Sequence, residues 1–336
     1  MEKGFYGKVD VTMNVSPKAE AVFVNPKQRE SGFFPEGTLL HTPQNRRALA
    51  SVYGLQEALA DGRTLEGRVT LCDGAHDLHV NLGCMSGIIP RTEGALGIES
   101  GAVRDIALIS RVGKPVAFRV TGFEEDESGR TRAVLSRRAV QQDCMTQFIR
   151  TLCPGDVIAS VVTHLESFGV FADIGAGLSA LMPIDSVSVS RIPHPNVRFV
   201  PGQQIRAVVK NIDAENRVTL SHKELLGTWA QNAAPYEAGQ TVTGIVRSVE
   251  TYGVFVELAP NLAGLAEYTE SVEPGQGVSV YIKSILPERM KLKLIIVDTF
   301  PPQEVTPPIR YFTEDTRIDH WVYSPPSCEK TIETVF

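Results

Sequence analysis

The sequence predicts an all-β protein built from three small barrels in a row. Three observations support this prediction. The chain has 336 residues, Gly and Pro are frequent with 28 and 21 copies, and one strand pattern opens three times, at Gly62, Gly155 and Gly239. The length suits two to four domains. Abundant Gly and Pro favour many short strands joined by turns over long helices.

Each repeat opens with a strand in which apolar residues alternate around one small residue. In the second repeat, Ile158 and Val162 flank Ser160, and the corresponding small residues are Gly67 and Gly244. A small residue suits a strand that bends sharply around a narrow barrel. Two further strands and a final hairpin follow in each repeat. We therefore expect five strands in roughly 70 residues, the strand count of an OB fold, in each of three consecutive barrels with short linking helices.

The repeats and the segments between them divide the chain into seven parts. We expect an N-terminal extension with a short helix over 1–60, a divergent first barrel over 61–138, a linker helix over 139–152, the second barrel over 153–224, a linker over 225–236, the third barrel over 237–297 and a tail rich in Pro and aromatic residues over 298–336. The first 35 residues have no clear periodicity and are predicted to be poorly ordered. The rings of the tail indicate that part of it packs onto another surface.

A pair of ring-bearing side chains, three residues apart, follows the first strand of every repeat. The pairs are His76 and His79, Phe168 and Phe171, and Tyr252 and Phe255. Residues three apart on a flat strand point to opposite faces, but Gly169 and Gly253 between the rings permit a bulge or kink that lets both rings reach one side. One such pair could be explained as barrel core. Three pairs, with polar rings allowed, favour an exposed platform on which nucleotide bases stack.

The second repeat carries the fullest form of the pattern. It runs from Gly155 through Ser167-Phe-Gly-Val-Phe-Ala-Asp-Ile174 and Asp213 to Arg217-Val-Thr-Leu-Ser-His-Lys223. This pattern resembles the RNA-binding repeat of bacterial small-subunit ribosomal protein S1, and the similarity extends from Gly62 to about Val297. The resemblance implies a string of OB-fold barrels that bind single-stranded RNA. In the ribosomal member of the family, this activity brings mRNA to the small subunit.

The resemblance also implies which residues contact RNA. They would be Phe168, Phe171, Asp213 and Arg217 in the second repeat, and Tyr252, Phe255 and Arg289 in the third. Further candidates are basic side chains near these positions and the polar rings of the first repeat, namely Lys223, Lys291, Lys293, His76, His79 and Arg132.

The first repeat departs furthest from the pattern, because both aromatic rings are replaced by His and the intervening Gly by Asp77. We therefore expect the first repeat, with the N-terminal helix, to dock onto protein such as the small ribosomal subunit. Many repeats of this type also carry a His where this chain has Pro90, Pro183 and Glu267. One RNA contact is thus expected to be missing from every repeat.

Charge and cysteine content limit the remaining possibilities. The formal net charge is −6, so RNA binding must depend on local patches and should have a shallow salt dependence. Five cysteines without a C-x-x-C pair indicate reduced thiols. Because no signal peptide or membrane-spanning run is recognisable, we expect a cytoplasmic protein with no membrane partner. Cys72, His76, His79 and Cys84 are zinc-ligand types, but their loose spacing leads us to predict neither a metal nor a cofactor.

An enzyme is not expected, since three barrels leave only the chain ends for a catalytic core and neither end carries a catalytic motif. The sequence favours a protein that binds single-stranded RNA, particularly mRNA, and acts in translation at the small ribosomal subunit. Two alternatives remain open. One is a regulatory RNA-binding factor of RNA decay or antitermination that does not join ribosomes, and the other is an OB-fold scaffold that grips peptide segments.

Overall fold

A computed structural model describes residues 23–126, 128–269, 272–301 and 309–336, and it contains three closed barrels of five strands each. The first barrel consists of β1 Leu65–Cys72, β2 Leu78–Asn81, β3 Ser86–Ile89, β4 Pro115–Glu125 and β5 Thr131–Ser136. The second consists of β6 Val157–Glu166, β7 Gly169–Gly175, β8 Leu178–Pro183, β9 Gln204–Ile212 and β10 Val218–Ser221. The third consists of β11 Thr241–Glu250, β12 Gly253–Ala259, β13 Leu262–Ala266, β14 Gly277–Leu286 and β15 Lys291–Phe300. The predicted all-β fold of three barrels is confirmed.

All three barrels have the same connectivity. The first three strands form an antiparallel meander, the fifth strand pairs in parallel with the third, and the fourth strand closes the barrel between the fifth and the first. This closed Greek-key arrangement is that of an OB fold. The third barrel is longer than expected, because β14 and β15 extend together until Gly277 pairs with Phe300, beyond the boundary predicted at residue 297.

The alternating pattern of the strands fills each barrel. In β7, Val170 and Ala172 are fully buried while Phe171 between them lies on the outer face. A fully buried Val side chain contributes roughly 1.5–3 kcal/mol to folding. Where β1 curls over the core, a Cβ on Gly67 would lie 2.6 Å from the side chain of Val80. The small residue at this position therefore permits the sharp bend that the sequence indicated.

Six short α-helices lie outside the barrels in the part of the chain that is described. They are α1 Pro26–Ser31, α2 Pro43–Leu49, α3 Val52–Ala60, α4 Ile106–Ile109, α5 Arg137–Gln147 and α6 Trp229–Ala233. None of them is long and apolar enough to cross a membrane. Three helices, α1 to α3, lie in the N-terminal extension where one short helix was expected. Ser51 accepts a hydrogen bond from the backbone N–H of Gly54 and so begins α3 separately from α2.

The N-terminal segment packs against the second barrel. The expectation of poor order is wrong for residues 23–35, whereas residues 1–22 lie outside the described residues. The amide of Asn25 donates to the carbonyl of Val157 at 2.7 Å, and the side chain of Gln28 pairs with both backbone groups of Ala159 at 2.8 and 2.9 Å. These contacts join polar side chains to backbone and need no hydrophobic periodicity. The sequence pattern therefore could not reveal them.

The C-terminal tail packs on the second and third barrels. It ends in a hairpin of β16 His320–Val322 and β17 Glu333–Val335. Trp321 and Tyr323 are buried in the core of the third barrel, and the Tyr323 hydroxyl donates to the carbonyl of Asn261 at 2.7 Å. The guanidinium of Arg206 lies 4.8 Å from the ring centre of Tyr311, a cation–π contact that holds the tail on the second barrel. The aromatic content of the tail thus marks a segment that is packed.

The first and second barrels meet at a buried cluster of charges. Glu36 accepts two hydrogen bonds from Arg137, at 2.6 and 3.0 Å, and its backbone N–H donates to Asp173 at 2.7 Å. One oxygen of Glu66 accepts three backbone N–H groups nearby. Burial, reinforced by the charge of Glu36, raises the pKa of Glu66 to about 8 and that of Asp173 to about 7. We therefore expect the stability of this junction to depend on pH.

The second and third barrels are joined by a comparable group. Glu257 on β12 accepts two hydrogen bonds from Arg247, at 2.9 and 2.8 Å, and a further one from Arg198 of the second barrel. Arg198 and Glu257 are both buried. This buried pair therefore joins the two barrels directly.

Candidate nucleic-acid interface

The two phenylalanines of the second barrel form an exposed pair. Phe168 lies in the turn between β6 and β7 and is 54% exposed, whereas Phe171 is half-buried on the outer face of β7. Their ring centres are 6.0 Å apart and the rings meet at 88°, edge to face. This is a favourable geometry for two aromatic rings, and it leaves ring faces open to solvent.

The third barrel builds the same pair from different residues. Tyr252 is 67% exposed, Phe255 is half-buried, and the two rings meet at 87° with centres 6.1 Å apart. The prediction that these rings face solvent is confirmed in both barrels. Two barrels thus present the same platform at the same place in the fold.

The bulge that brings each pair together is not where the sequence indicated. The register shifts in the preceding strand, between Val162 and His164 in β6 and at the same place in β11. Gly169 serves a different purpose, because a Cβ there would overlap the carbonyl oxygen of Met182 on β8. Phe168 precedes the strand, so strand alternation does not apply to it. Of the bulge or kink expected at the glycine, the bulge is therefore wrong, since it lies in the preceding strand.

Strand register defines a row of outward-facing residues across each barrel, and we call this row the ring row. It comprises Leu71, His79, Ile88, Val134 and Gly122 in the first barrel, His164, Phe171, Leu181, Thr219 and Asn211 in the second, and Ser248, Phe255, Leu265, Lys293 and Ser284 in the third. The third row alone contains a cation, and Lys293 is separated from Phe255 by only one strand.

The same register corrects one sequence equivalence. Thr219 and Lys293 occupy corresponding positions, so the counterpart of Arg217 is Lys291, two residues earlier on the strand. The sequence comparison had placed Arg289 there. Arg289 lies instead in the turn before β15, which is closed by Met290 in the left-handed conformation (φ 50°). The turn differs from that of the second barrel, and this difference displaced the alignment.

Asp213 and Arg217 form a closed unit at the tip of the last hairpin of the second barrel. One oxygen of Asp213 accepts the backbone N–H groups of Glu215 and Arg217, and the other accepts Nε of Arg217 at 2.6 Å. These bonds, with the backbone bond from Arg217 first, lower the pKa of the Asp213 carboxyl. Asp213 thus shapes the turn and orients Arg217, whose side chain stays exposed.

Three cations at the last hairpin of the third barrel lack such pairing. Arg289, Lys291 and Lys293 are exposed, and none of them forms an ion pair with another described residue. We call these three side chains the cationic strip. Lys223 lies elsewhere, because it begins a short turn at the junction with the third barrel, where its carbonyl accepts a hydrogen bond from Asn261. The strip therefore places unpaired positive charge on the last hairpin of the third barrel.

Comparison with known proteins agrees with this geometry. The family model described as the S1 RNA binding domain matches residues 152–223, which is the second barrel. The chain is 30% identical over 269 residues to small ribosomal subunit protein bS1 of Staphylococcus aureus (strain COL), covering 75% of this chain and 66% of that protein. A bS1 homolog of Bacillus cereus is 29% identical over 270 residues, with 75% and 67% covered.

The chain belongs to the bS1 family. It spans about two thirds of the length of these relatives, at 66% and 67%. Among solved structures, a multidomain protein with nucleic acid binding domains from Streptococcus pneumoniae covers 72% of this chain and 75% of its own, at 16% identity and a TM-score of 0.24. That score adds nothing to the fold established above. The sequence-level resemblance to S1 repeats is confirmed.

The first barrel of this bS1-family chain presents no ring pair. His79 is held by Asp73 at 2.9 Å, and His76, which adopts a positive φ of 66°, lies 3.8 Å from Asp105. Arg132 is likewise bound to Glu124, at 2.7 Å. Within the described residues, no three side chains of metal-ligand type come close enough to hold an ion. The candidate contact residues of the first barrel are thus each paired with an acidic side chain.

One residue of the interface was missed by the sequence reasoning. His164 on β6 is exposed, and its ring centre lies 6.5 Å from that of Phe171. Regular alternation would put His164 on the same inner face as the buried Val162, and the bulge between them turns it outward, so strand periodicity carries no signal for it. A search for rings three residues apart could not find it.

Proposed function

We propose that this chain binds single-stranded RNA, and mRNA in particular, through its second and third barrels, and that it acts in translation at the small ribosomal subunit. The observation that carries the proposal is the repeated edge-to-face ring pair, with ring centres 6.0 and 6.1 Å apart on two barrels. A base stacked on an exposed aromatic ring contributes about 1–3 kcal/mol whatever its identity. Two ring pairs therefore provide sequence-tolerant binding of an unpaired strand.

The two barrels act together in this proposal. They are joined through the buried pair of Arg198 and Glu257, which holds them next to each other. Binding at one barrel raises the effective concentration of the same RNA strand at the other, so that the combined affinity exceeds that of either site. The cationic strip supplies the phosphate contacts, and the ring pairs supply the base contacts.

The first barrel has a different part in the proposal. It lacks a ring pair, and its ring row carries the exposed apolar side chain of Leu71, which is 52% exposed. An exposed apolar side chain beside polar groups that are already paired suits a protein partner better than RNA. We therefore assign the contact with the small subunit to this barrel and the N-terminal helices, and we place the protein in the cytoplasm as a binding protein without catalytic activity.

Mutation of the ring pairs tests RNA binding. We expect Phe168→Ala/Phe171→Ala to weaken binding of a fluorescent single-stranded 12-nucleotide RNA by about 2–6 kcal/mol if both rings stack. Tyr252→Ala/Phe255→Ala should act similarly in fluorescence anisotropy titrations. A matched control is Tyr53→Ala, which removes a ring that is 69% exposed on α3, away from the proposed surface. Wild-type affinity in both folded double variants would contradict the proposal.

Sedimentation tests the ribosomal part separately. In sucrose gradients of cell extract, we expect the protein to migrate with the small subunit, and a variant with Leu71→Asp in the first barrel to lose that association while keeping its affinity for free RNA. Free migration of the wild-type protein, with RNA binding intact, would instead support a regulatory factor of RNA decay or antitermination. Absence of RNA binding at low salt would support the peptide-binding scaffold.

A further inference from the structure

The aromatic surface of the second barrel continues onto a third ring. His164 on β6 pairs in register with Phe171 on β7, and the two rings are 6.5 Å apart between centres and tilted by 36°. The side chain of His164 is 64% exposed. The corresponding position is Ser248 in the third barrel and Leu71 in the first. The second barrel is therefore the one that carries a ring at this point.

The backbone directs this ring onto the platform. The bulge between Val162 and His164 leaves Thr163 unpaired in the ladder, and the Thr163 hydroxyl donates to the carbonyl of Phe171 at 3.0 Å. A bulge of this kind turns the following side chain, and such bulges are common beside functional sites. His164 is thus held on the same face as Phe171 by β6 itself.

A carboxylate fixes the protonation pattern of the imidazole. Nε2 of His164 lies 2.7 Å from Oε1 of Glu166. An ionised carboxylate can only accept a hydrogen bond, so Nε2 carries the proton. In a neutral imidazole the other nitrogen is then an acceptor. Nδ1 forms no hydrogen bond with any residue in the described part of the chain. Since an exposed ion pair contributes little to stability, folding does not account for this arrangement.

We propose that His164 is a third nucleotide-binding position of the second barrel. Its ring contacts the base next to the one stacked on Phe171, and Nδ1 accepts a hydrogen bond from that same nucleotide. The donor is either the ribose 2′-hydroxyl or an N–H on the base edge, both of which proteins use to recognise single-stranded RNA. The inference rests on the RNA-binding function proposed above. It implies that the second barrel contacts one nucleotide more than the third barrel does.

Two variants separate the contribution of the His164 ring from that of its Nδ1 atom. His164→Ala removes both, and His164→Phe keeps a ring without Nδ1. We expect His164→Ala in the full chain to raise the Kd for a labelled oligouridine by about 5- to 150-fold, the range of one stacked base. The matched control is His320→Ala, because His320 forms the same kind of exposed pair, with Glu333 at 2.7 Å, on the C-terminal hairpin. This control should bind as the wild type does.

Modified oligouridines identify the donor. Wild-type protein should bind one of the two modified forms, 2′-deoxy or N3-methyl, more weakly than oligouridine. The His164→Phe variant should bind that modified form and oligouridine with equal affinity. If His164→Phe is as sensitive to both modifications as the wild type, the Nδ1 contact is overturned. If His164→Ala binds normally while Phe168→Ala/Phe171→Ala does not, His164 is no contact and the platform stands. If all of these variants bind normally, the proposed function itself fails.

Discussion

The cationic strip should determine how RNA affinity responds to salt. In the second barrel the charge of Arg217 is compensated by Asp213 at 2.6 Å and Glu215 at 3.2 Å. In the first barrel Arg132 is compensated by Glu124. In the third barrel, Arg289, Lys291 and Lys293 are exposed, lie close together on the last hairpin and form no ion pair with described residues. Counterion release should therefore be concentrated there, although the net charge of the whole chain is −6.

The expected magnitude follows from the number of contacts. Each phosphate neutralised on a single strand contributes about 0.7 to the slope of log Kd against log salt concentration, so three contacts contribute about 2. Between 50 and 200 mM salt, the wild-type protein should then lose about 20-fold more affinity than a variant without the strip. The variant is Arg289→Gln/Lys291→Gln/Lys293→Gln, and anisotropy titrations at four salt concentrations measure the slope.

A charge-balanced variant serves as the control for this measurement. Asp213→Asn/Arg217→Gln removes one positive and one negative charge from the second barrel, so we expect the slope to change by less than about 0.7. If the triple variant keeps the wild-type slope, the phosphates lie elsewhere and the assignment of the strip is refuted. If the control variant loses as much slope as the triple variant does, Asp213 does not compensate the charge of Arg217 when RNA is bound.

Three further predictions concern the frame that holds this surface. Gly169→Ala should destabilise the chain by about 1–3 kcal/mol in urea denaturation, because its Cβ would overlap the carbonyl of Met182, whereas Gly74→Ala, with no atom within 4 Å, should have little effect. The pKa of Glu66 is about 8 in the fold against 4.5 ordinarily, so the folded state holds an extra proton between these values. The melting temperature should therefore fall as pH rises from 5 to 8, and Glu66→Gln should flatten this dependence. Tyr323→Phe should cost about 1 kcal/mol and make the tail more sensitive to protease, since a buried hydrogen bond to the third barrel is lost.

Features that depend on local periodicity could be predicted from the sequence. The alternation of Ile158, Ser160 and Val162 and the fixed interval between the opening Gly and the rings determine strand type, repeat length and which side chains face outward. Phe168 and Phe171 were found in this way, and so were their counterparts in the third barrel. The resemblance to S1 repeats rests on the same local features.

Features that depend on pairing between distant segments could not be predicted. The equivalence of Lys291 and Arg217 is fixed by which residue of β15 pairs with β13, and no pattern within the strand determines that register. The docking of the N-terminal segment depends on single polar contacts such as that of Gln28 with Ala159. A Gln in an aperiodic segment looks the same whether it is solvated or bound to a barrel.

The position of the ring pairs relative to the junctions explains how two barrels can share one RNA strand. Asp173 and Glu257 lie two residues after Phe171 and Phe255 on the same strands, which is a rise of about 6.6 Å. Each of these acids is held at the junction with the preceding barrel, Asp173 by the backbone N–H of Glu36 and Glu257 by Arg198. In each of the two barrels, one β-strand therefore carries both a ring of the proposed platform and the acid that contacts the neighbouring barrel. The separation of the two platforms is then set by backbone and buried ion pairs and does not depend on a flexible linker, so a strand bound at one barrel meets the other at a fixed distance.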